Sequence, residues 1–197
     1  MVRRDVIAFD DGYFPPTFKE SRGKTLLIGV LYHEEMTISK ILWDIIVVDG
    51  LGTTNKIIDM ISILNAYSGN SVIILDGITY AGFDVADPDK IYLATKIPVI
   101  SFIQYPLDLE RIRHALIKHF PDHETRYRVI HRIYTKATPL ITPWRVVRFY
   151  AVGITREEAS SLLRELMIYS PVPEPLRIAH MIASYLSKYM LEKGYLS

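Results

Sequence analysis

Three apolar runs end in aspartate: "VIAFDD" at residues 6–11, "IIVVDG" at 45–50 and "VIILDG" at 72–77. Runs this rich in β-branched and aliphatic residues are strand-like. Asp10, Asp49 and Asp76 therefore belong at or near the C-terminal ends of strands, the edge of an open α/β sheet where ligands collect. If the first and fourth strands are neighbours, a spacing of about 5 Å brings Asp10 beside Asp76. Two carboxylates that close repel unless a proton or a cation lies between them. Mg²⁺ suits such a pair, because it takes carboxylate oxygens and keeps room for water and phosphate oxygens. The chemistry this would support is phosphodiester cleavage. Asp-Gly after a strand is also ordinary turn chemistry, and three occurrences in one chain shift the balance towards a site. Asp11 should point to the opposite face from Asp10, so the two are not expected to share one site.

The elements that must position these residues follow from periodicity. Residues 3–10, 24–33 and 37–49 read as three strands, with the turn between the last two around Glu34–Met36 short enough for a hairpin, giving an antiparallel meander. Residues 53–67 place Ile57, Ile58, Ile61 and Leu64 at helical spacing. Strands at 71–76 and 97–103 enclose a short helix at 87–96 opened by Pro88. Alternating strands and helices call for parallel crossovers. Helices follow at 107–120 and 123–134, then a strand at 144–153. Thr155 and Glu158 have capping-box spacing at the start of a helix over 155–167. A long helix spans 173–194. The expected fold is a ribonuclease H-like mixed α/β sheet, three antiparallel strands then parallel ones, with helices on both faces, in a single domain over residues 1–197.

The chain has 197 residues, no cysteine and a net charge of +1. Disulfides and thiolate metal sites are excluded. No apolar run reaches the ~18 residues of a membrane span, and the N-terminus lacks a signal-peptide core, so a cytoplasmic protein with no membrane partner is expected. The near-neutral total hides an asymmetry. Residues 111–148 carry nine Lys or Arg against two acidic residues, a local +7, whereas residues 1–110 carry nine basic and fifteen acidic side chains. Histidines and aromatics are interleaved with the basic residues. Such a region is either a solvated helix face or a nucleic-acid surface. The candidates for phosphate contact are Arg111, Arg113, Lys118, Arg126, Arg128, Arg132, Arg145 and Arg148.

Several segments resemble endonuclease V. "ILDGITYAGF" resembles its "DGxGxxHPRxxG" segment, "KIPVISF" its "IPTIGVAK" strand, "AVGITREEASSLL" its "GHRISLEEA" segment, and "SPVPEPLRIAHMIAS" its "RLPEPTRLAH" helix. The order is the same and the likeness runs from the first strand to near the C-terminus. The chain is most similar to an archaeal endonuclease V-like family, domain of unknown function 99. The resemblance implies a metal-dependent phosphodiesterase on DNA or RNA that uses Mg²⁺ or Mn²⁺, with Asp10, Asp76 and His180 at the catalytic positions. By itself, a histidine inside an apolar helical run such as "PEPLRIAHMIA" is ordinarily packed and hydrogen-bonded. Two features depart from the family. Counting back the family's spacing from Asp76 lands on Asn55 where those enzymes have glutamate, so Asp49 or Asp59 would have to replace it as a ligand. The "PYIPG" wedge that parts the strands is replaced by "VVDGLG". These departures imply the alternative of a catalytically silent nucleic-acid-binding or regulatory protein. The oligomeric state is not legible.

Overall fold

A computed structural model describes residues 4–33, 37–64 and 70–197. The first half of the chain runs through β1 (Asp5–Asp11), α1 (Phe18–Ser21), β2 (Lys24–Tyr32), β3 (Ile38–Val47), α2 (Thr53–Leu64), β4 (Ser71–Asp76), β5 (Thr79–Tyr80), β6 (Asp84–Val85) and α3 (Pro88–Thr95). It continues through β7 (Val99–Ile103), α4 (Leu109–His119), α5 (His123–Lys136), β8 (Thr138–Ile141), β9 (Val146–Val152), α6 (Arg156–Leu166) and α7 (Glu174–Glu192). The expected turn at Glu34–Met36 and the expected tail of α2 beyond residue 64 lie outside the described residues.

Seven strands form one sheet in the order β3-β2-β1-β4-β7-β9-β8. β1, β2 and β3 pair antiparallel, and β4 is parallel to both β1 and β7. This is the mixed sheet expected from the sequence. The strand expected over 144–153 is β9, which runs antiparallel to β7, and the addition is β8, which pairs with it on the far edge. β8 has four residues and contains Pro139, which a sheet accepts at an edge strand; a segment so short has too few residues to show a period. The two-residue strands β5 and β6 escaped for the same reason.

Alternation along β1 and β4 sorts the core. Val6, Ala8, Val72 and Ile74 join the apolar cluster under α6 and α7, whereas Ile7, Phe9, Ile73 and Leu75 join the cluster with Ile57, Ile61 and Ile91 of α2 and α3. Each such side chain contributes roughly 1.5–3 kcal/mol when fully buried, so the register of these central strands is strongly specified. A third cluster, with Ile103, Leu116, Ile130 and Ile133, lies beneath α4 and α5. Among the described residues no helix is long and apolar enough to cross a membrane.

α7 can lie close to β1 and β2 because its buried face carries Ala179, Ala183 and Ser187. Gly12, just past β1, completes this fit. A Cβ on Gly12 would stand 2.8 Å from Ser187 Cβ and 2.9 Å from Thr25 Oγ1. Gly12→Val should therefore push α7 off the sheet and lower stability by about 1–3 kcal/mol, the usual range for overpacking; chemical denaturation measures it.

Candidate metal centre

β1 and β4 run parallel with Ala8 opposite Ile74 and Phe9 opposite Leu75. Continuing that register by one residue puts Asp10 opposite Asp76. Both follow the α7-facing stripe of their strands, so both carboxylates leave the sheet on the side of α7. There they meet His180, whose Nδ1 lies 2.7 Å from Asp10 Oδ2. Among the described residues, Asp10, Asp76 and His180 form a group whose potential ligand atoms all lie within 4.8 Å of one another.

Each member is held differently. Asp10 is only 4% exposed, and its Oδ1 accepts the Asp11 N–H at 2.8 Å. Both oxygens of Asp76 accept from Gln104 Nε2, at 2.9 and 3.1 Å. Gly77, with φ +86°, turns the chain away directly after Asp76, a conformation that L side chains rarely adopt. His180 is exposed on α7, one and two turns before Ser184 and Lys188, and all three line a cavity of about 510 Å³. The cavity is lined by the acidic group and by the apolar side chains of Ile78, Phe83, Ile103 and Leu107.

Asp11 takes the opposite face, as alternation requires, and its Oδ2 accepts the Ala81 N–H at 2.7 Å. It nevertheless lines the same cavity. Burial, then the neighbouring Asp10 charge, pushes Asp11 up to about 8. Burial, then Asp10, pushes Asp76 up to about 7. Asp10 is raised by burial against the opposing pull of its His180 hydrogen bond, and that bond raises His180.

Two carboxylates and an imidazole on one small patch, with the acids disfavoured as anions by burial and by each other, fit a divalent cation that takes oxygen and nitrogen ligands. Asp10, Asp76 and His180 are the residues that would hold it.

Asp49 is not brought to this group. It occupies a left-handed turn with φ +57°, its Oδ1 accepts the Phe83 N–H at 2.8 Å, and its own N–H donates to Ala81 O at 2.7 Å. Turn chemistry accounts for it. Asn55 and Asp59 are exposed on α2 and do not line the cavity.

The basic candidates separate as well. Arg111, Arg113, Lys118 and Arg128 are exposed on α4 and α5. Arg126 is buried, which removes it from any phosphate surface: it donates to the carbonyls of Asp49, Gly50 and Phe83, pairs with Asp122, and lies 4.4 Å over the Phe120 ring. Arg132 pairs with Asp87 and Asp89. Arg148 lies over the Tyr134 ring, and Arg145 donates to Gln104. Sequence reading missed Gln104, because an amide carries no charge signal. Its place was legible in principle: two residues beyond Phe102, the partner of Asp76, and one past the end of β7, it continues the same face.

Residues 3–187 match the family described as endonuclease dU. The chain belongs to the endonuclease dU family. A UPF0215 protein of Thermococcus gammatolerans is 39% identical over 181 residues, 91% of this chain and 90% of its own length. A UPF0215 protein of Pyrococcus furiosus is 38% identical over 185 residues, 93% of each chain. Among solved structures, a protein of unknown function from Archaeoglobus fulgidus superposes with a TM-score of 0.75 at 25% identity, over 93% of this chain and 98% of that one. Endonuclease V of Ciona intestinalis, in complex with a 24mer DNA containing an inosine followed by a ribo-adenosine, has a TM-score of 0.62 at 14% identity, over 96% and 86% of the two chains. That likeness shows a shared ribonuclease H-like fold. The family membership agrees with the endonuclease V-like resemblance read from the sequence.

The raised carboxyl groups have a consequence for this family member's stability. Without a cation, the folded chain keeps protons on Asp76 and Asp11 that the unfolded chain has released above about pH 4. Stability then falls as pH rises from about 4, until Asp76 ionises at about 7 and Asp11 at about 8 in the folded chain, and raised His180 acts in the same direction. In chelator, the melting temperature should fall from about pH 4 upwards and level off above about pH 8, and Mn²⁺ should raise it most at the upper end. Asp11→Asn with Asp76→Asn should flatten the slope, as read by calorimetric melts across that range.

Proposed function

We propose that this protein is a divalent-metal-dependent endonuclease acting on nucleic acid, and that the convergence of Asp10, Asp76 and His180 within 4.8 Å carries this reading. Mg²⁺ or Mn²⁺ bound there would supply Lewis acidity towards a phosphodiester and favour ionised water. Asp10 and Asp76 would hold it. His180, tied to Asp10 through Nδ1, would join them on the ion and so help position water or the leaving oxygen. The apolar side chains on one side of the cavity would lower the local dielectric, which strengthens electrostatic interactions beside them. The family's description, endonuclease dU, supports a deoxyuridine-containing strand as substrate. The inosine-containing DNA bound by Ciona intestinalis endonuclease V supports an inosine strand as the second one to try.

The strand would meet the exposed cations of α4 and α5. Arg113, Tyr127, Arg128 and His131 line a groove of about 580 Å³. Arg113 lies 5.7 Å over the Tyr127 ring, and Tyr127 and His131 rings are 5.6 Å apart. Cations interleaved with aromatic faces suit the phosphates and bases of a single strand.

One observation favours a second reading, a nucleic-acid-binding protein without cleavage. Asn55, at the position of a carboxylate in the enzymes it resembles, is exposed and outside the acidic group. That reading requires strand binding without Mn²⁺-dependent products.

Asp10→Asn and Asp76→Asn should each lower Mn²⁺-dependent cleavage of a deoxyuridine strand by more than about a hundredfold, beyond the usual effect of groups that merely support a ligand. Unchanged Mn²⁺ binding in the double variant, measured by calorimetry, would remove the site. Arg113→Glu with Arg128→Glu should weaken strand binding and reduce its salt slope by about 2, leaving Mn²⁺ affinity intact. A slope equal to that of the unsubstituted protein would exclude this groove.

A further inference from the structure

Asp76 depends on one neighbour for its orientation. Both of its oxygens accept from the single amide nitrogen of Gln104, at 2.9 and 3.1 Å. The other end of that amide, Oε1, accepts from Arg145 Nη2 at 3.3 Å. Arg145 is itself held twice. Its guanidinium lies 4.3 Å over the Tyr105 ring, and its main chain is clamped in the β8–β9 turn. There Thr142 Oγ1 accepts the Arg145 N–H at 3.1 Å and donates to its carbonyl at 2.6 Å.

We propose that Arg145 is a positioning residue for Asp76, acting through Gln104: the guanidinium sets the direction of the amide, and the amide sets the carboxylate facing Asp10 and His180. This role depends on Asp10, Asp76 and His180 holding a divalent cation.

The chemistry of the three groups dictates the order. A guanidinium has donors and no acceptor, so it can meet Gln104 only at Oε1. That leaves Nε2 for Asp76, whose ionised oxygens only accept. Among the described residues, Arg145 and Asp76 make the side-chain hydrogen bonds that distinguish the two orientations of the amide. The amide also separates charges. A guanidinium placed directly on Asp76 would form an ion pair with the carboxylate and repel an incoming divalent cation. A neutral spacer passes on direction without that competition.

Fold stability does not explain Arg145. Its Nε is buried with no hydrogen-bond partner among the described residues, and a buried donor left unpaired is unfavourable. An unbranched apolar side chain would still cover Tyr105, losing only the cation–π part of that contact.

The test is calorimetric titration of the full-length protein with Mn²⁺ at fixed pH. Gln104→Leu and Arg145→Met should each weaken Mn²⁺ binding about tenfold or more, the scale typical of groups that orient a ligand. The double variant should bind as Gln104→Leu does alone, because Arg145 acts only through the amide. Arg145→Lys, which still donates to Oε1, should recover most of the affinity, a rescue that lost packing would not give. Melting temperatures within about 4 °C of the unsubstituted protein, a shift of less than about 2 kcal/mol, keep lost affinity apart from misfolding. Additive losses, or full affinity in Arg145→Met, would overturn the relay while leaving the cation site in place. An unsubstituted protein that binds no Mn²⁺ would overturn the cation site and the relay with it.

Discussion

Two parallel strands that stop at the same level, on the same face, govern this molecule. β1 and β4 are each buried on both sides, so their side-chain alternation is fixed by two separate apolar clusters. A slip of one residue would exchange Val6, Ala8, Val72 and Ile74 with their neighbours and put both carboxylates on the wrong face. The hydrophobic material of the strands therefore aims the acids. It also forces them together in a place where neither is comfortable as an anion, and the cost of that proximity is met by the burial of the sheet as a whole. A site assembled in this way is strained electrostatically rather than in its backbone.

Charge elsewhere is handled by the opposite device. Arg126 is enclosed by three main-chain carbonyls and Asp122, and it closes α5 onto the turns around Asp49 and Phe83. A buried cation with this many acceptors fixes one arrangement of those turns, since removing any partner leaves charge unanswered in the interior. Arg132, between Asp87 and Asp89, does the same for the start of α3. The basic character of the 111–148 stretch is thus divided. Part of it welds the helical hairpin to the sheet, and only the remainder on the outer faces of α4 and α5 is available to solvent.

How far the sequence could be read follows from these same particulars. The six longer strands and the helices from α2 onward were legible because each has enough residues to show a period, and Asp10 with Asp76 was legible because adjacent parallel strands place their ends together. The short β8 carried no such signal. Asp49 looked identical to Asp76 in sequence, an aspartate before glycine after an aliphatic run. What separates them is three-dimensional: β3 lies on the edge of the sheet, with two strands between it and β4, and Asp49 sits two residues past its end in a left-handed turn. Arg126 and Arg128 are likewise indistinguishable until the helix is turned to face its neighbours. Gln104 was invisible because its importance lies in what it connects.

The distance along the chain between Asp10 and His180 has a consequence for synthesis. One member of the acidic group is made 170 residues before its partner. β1 and β4 precede α7 in the chain, so they can pair before α7 is made and docks on them. Until it does, the nascent chain carries two bare acids at the end of a half-covered sheet. The three-member group is thus a property of the assembled fold: it closes only when α7 brings His180 to Asp10.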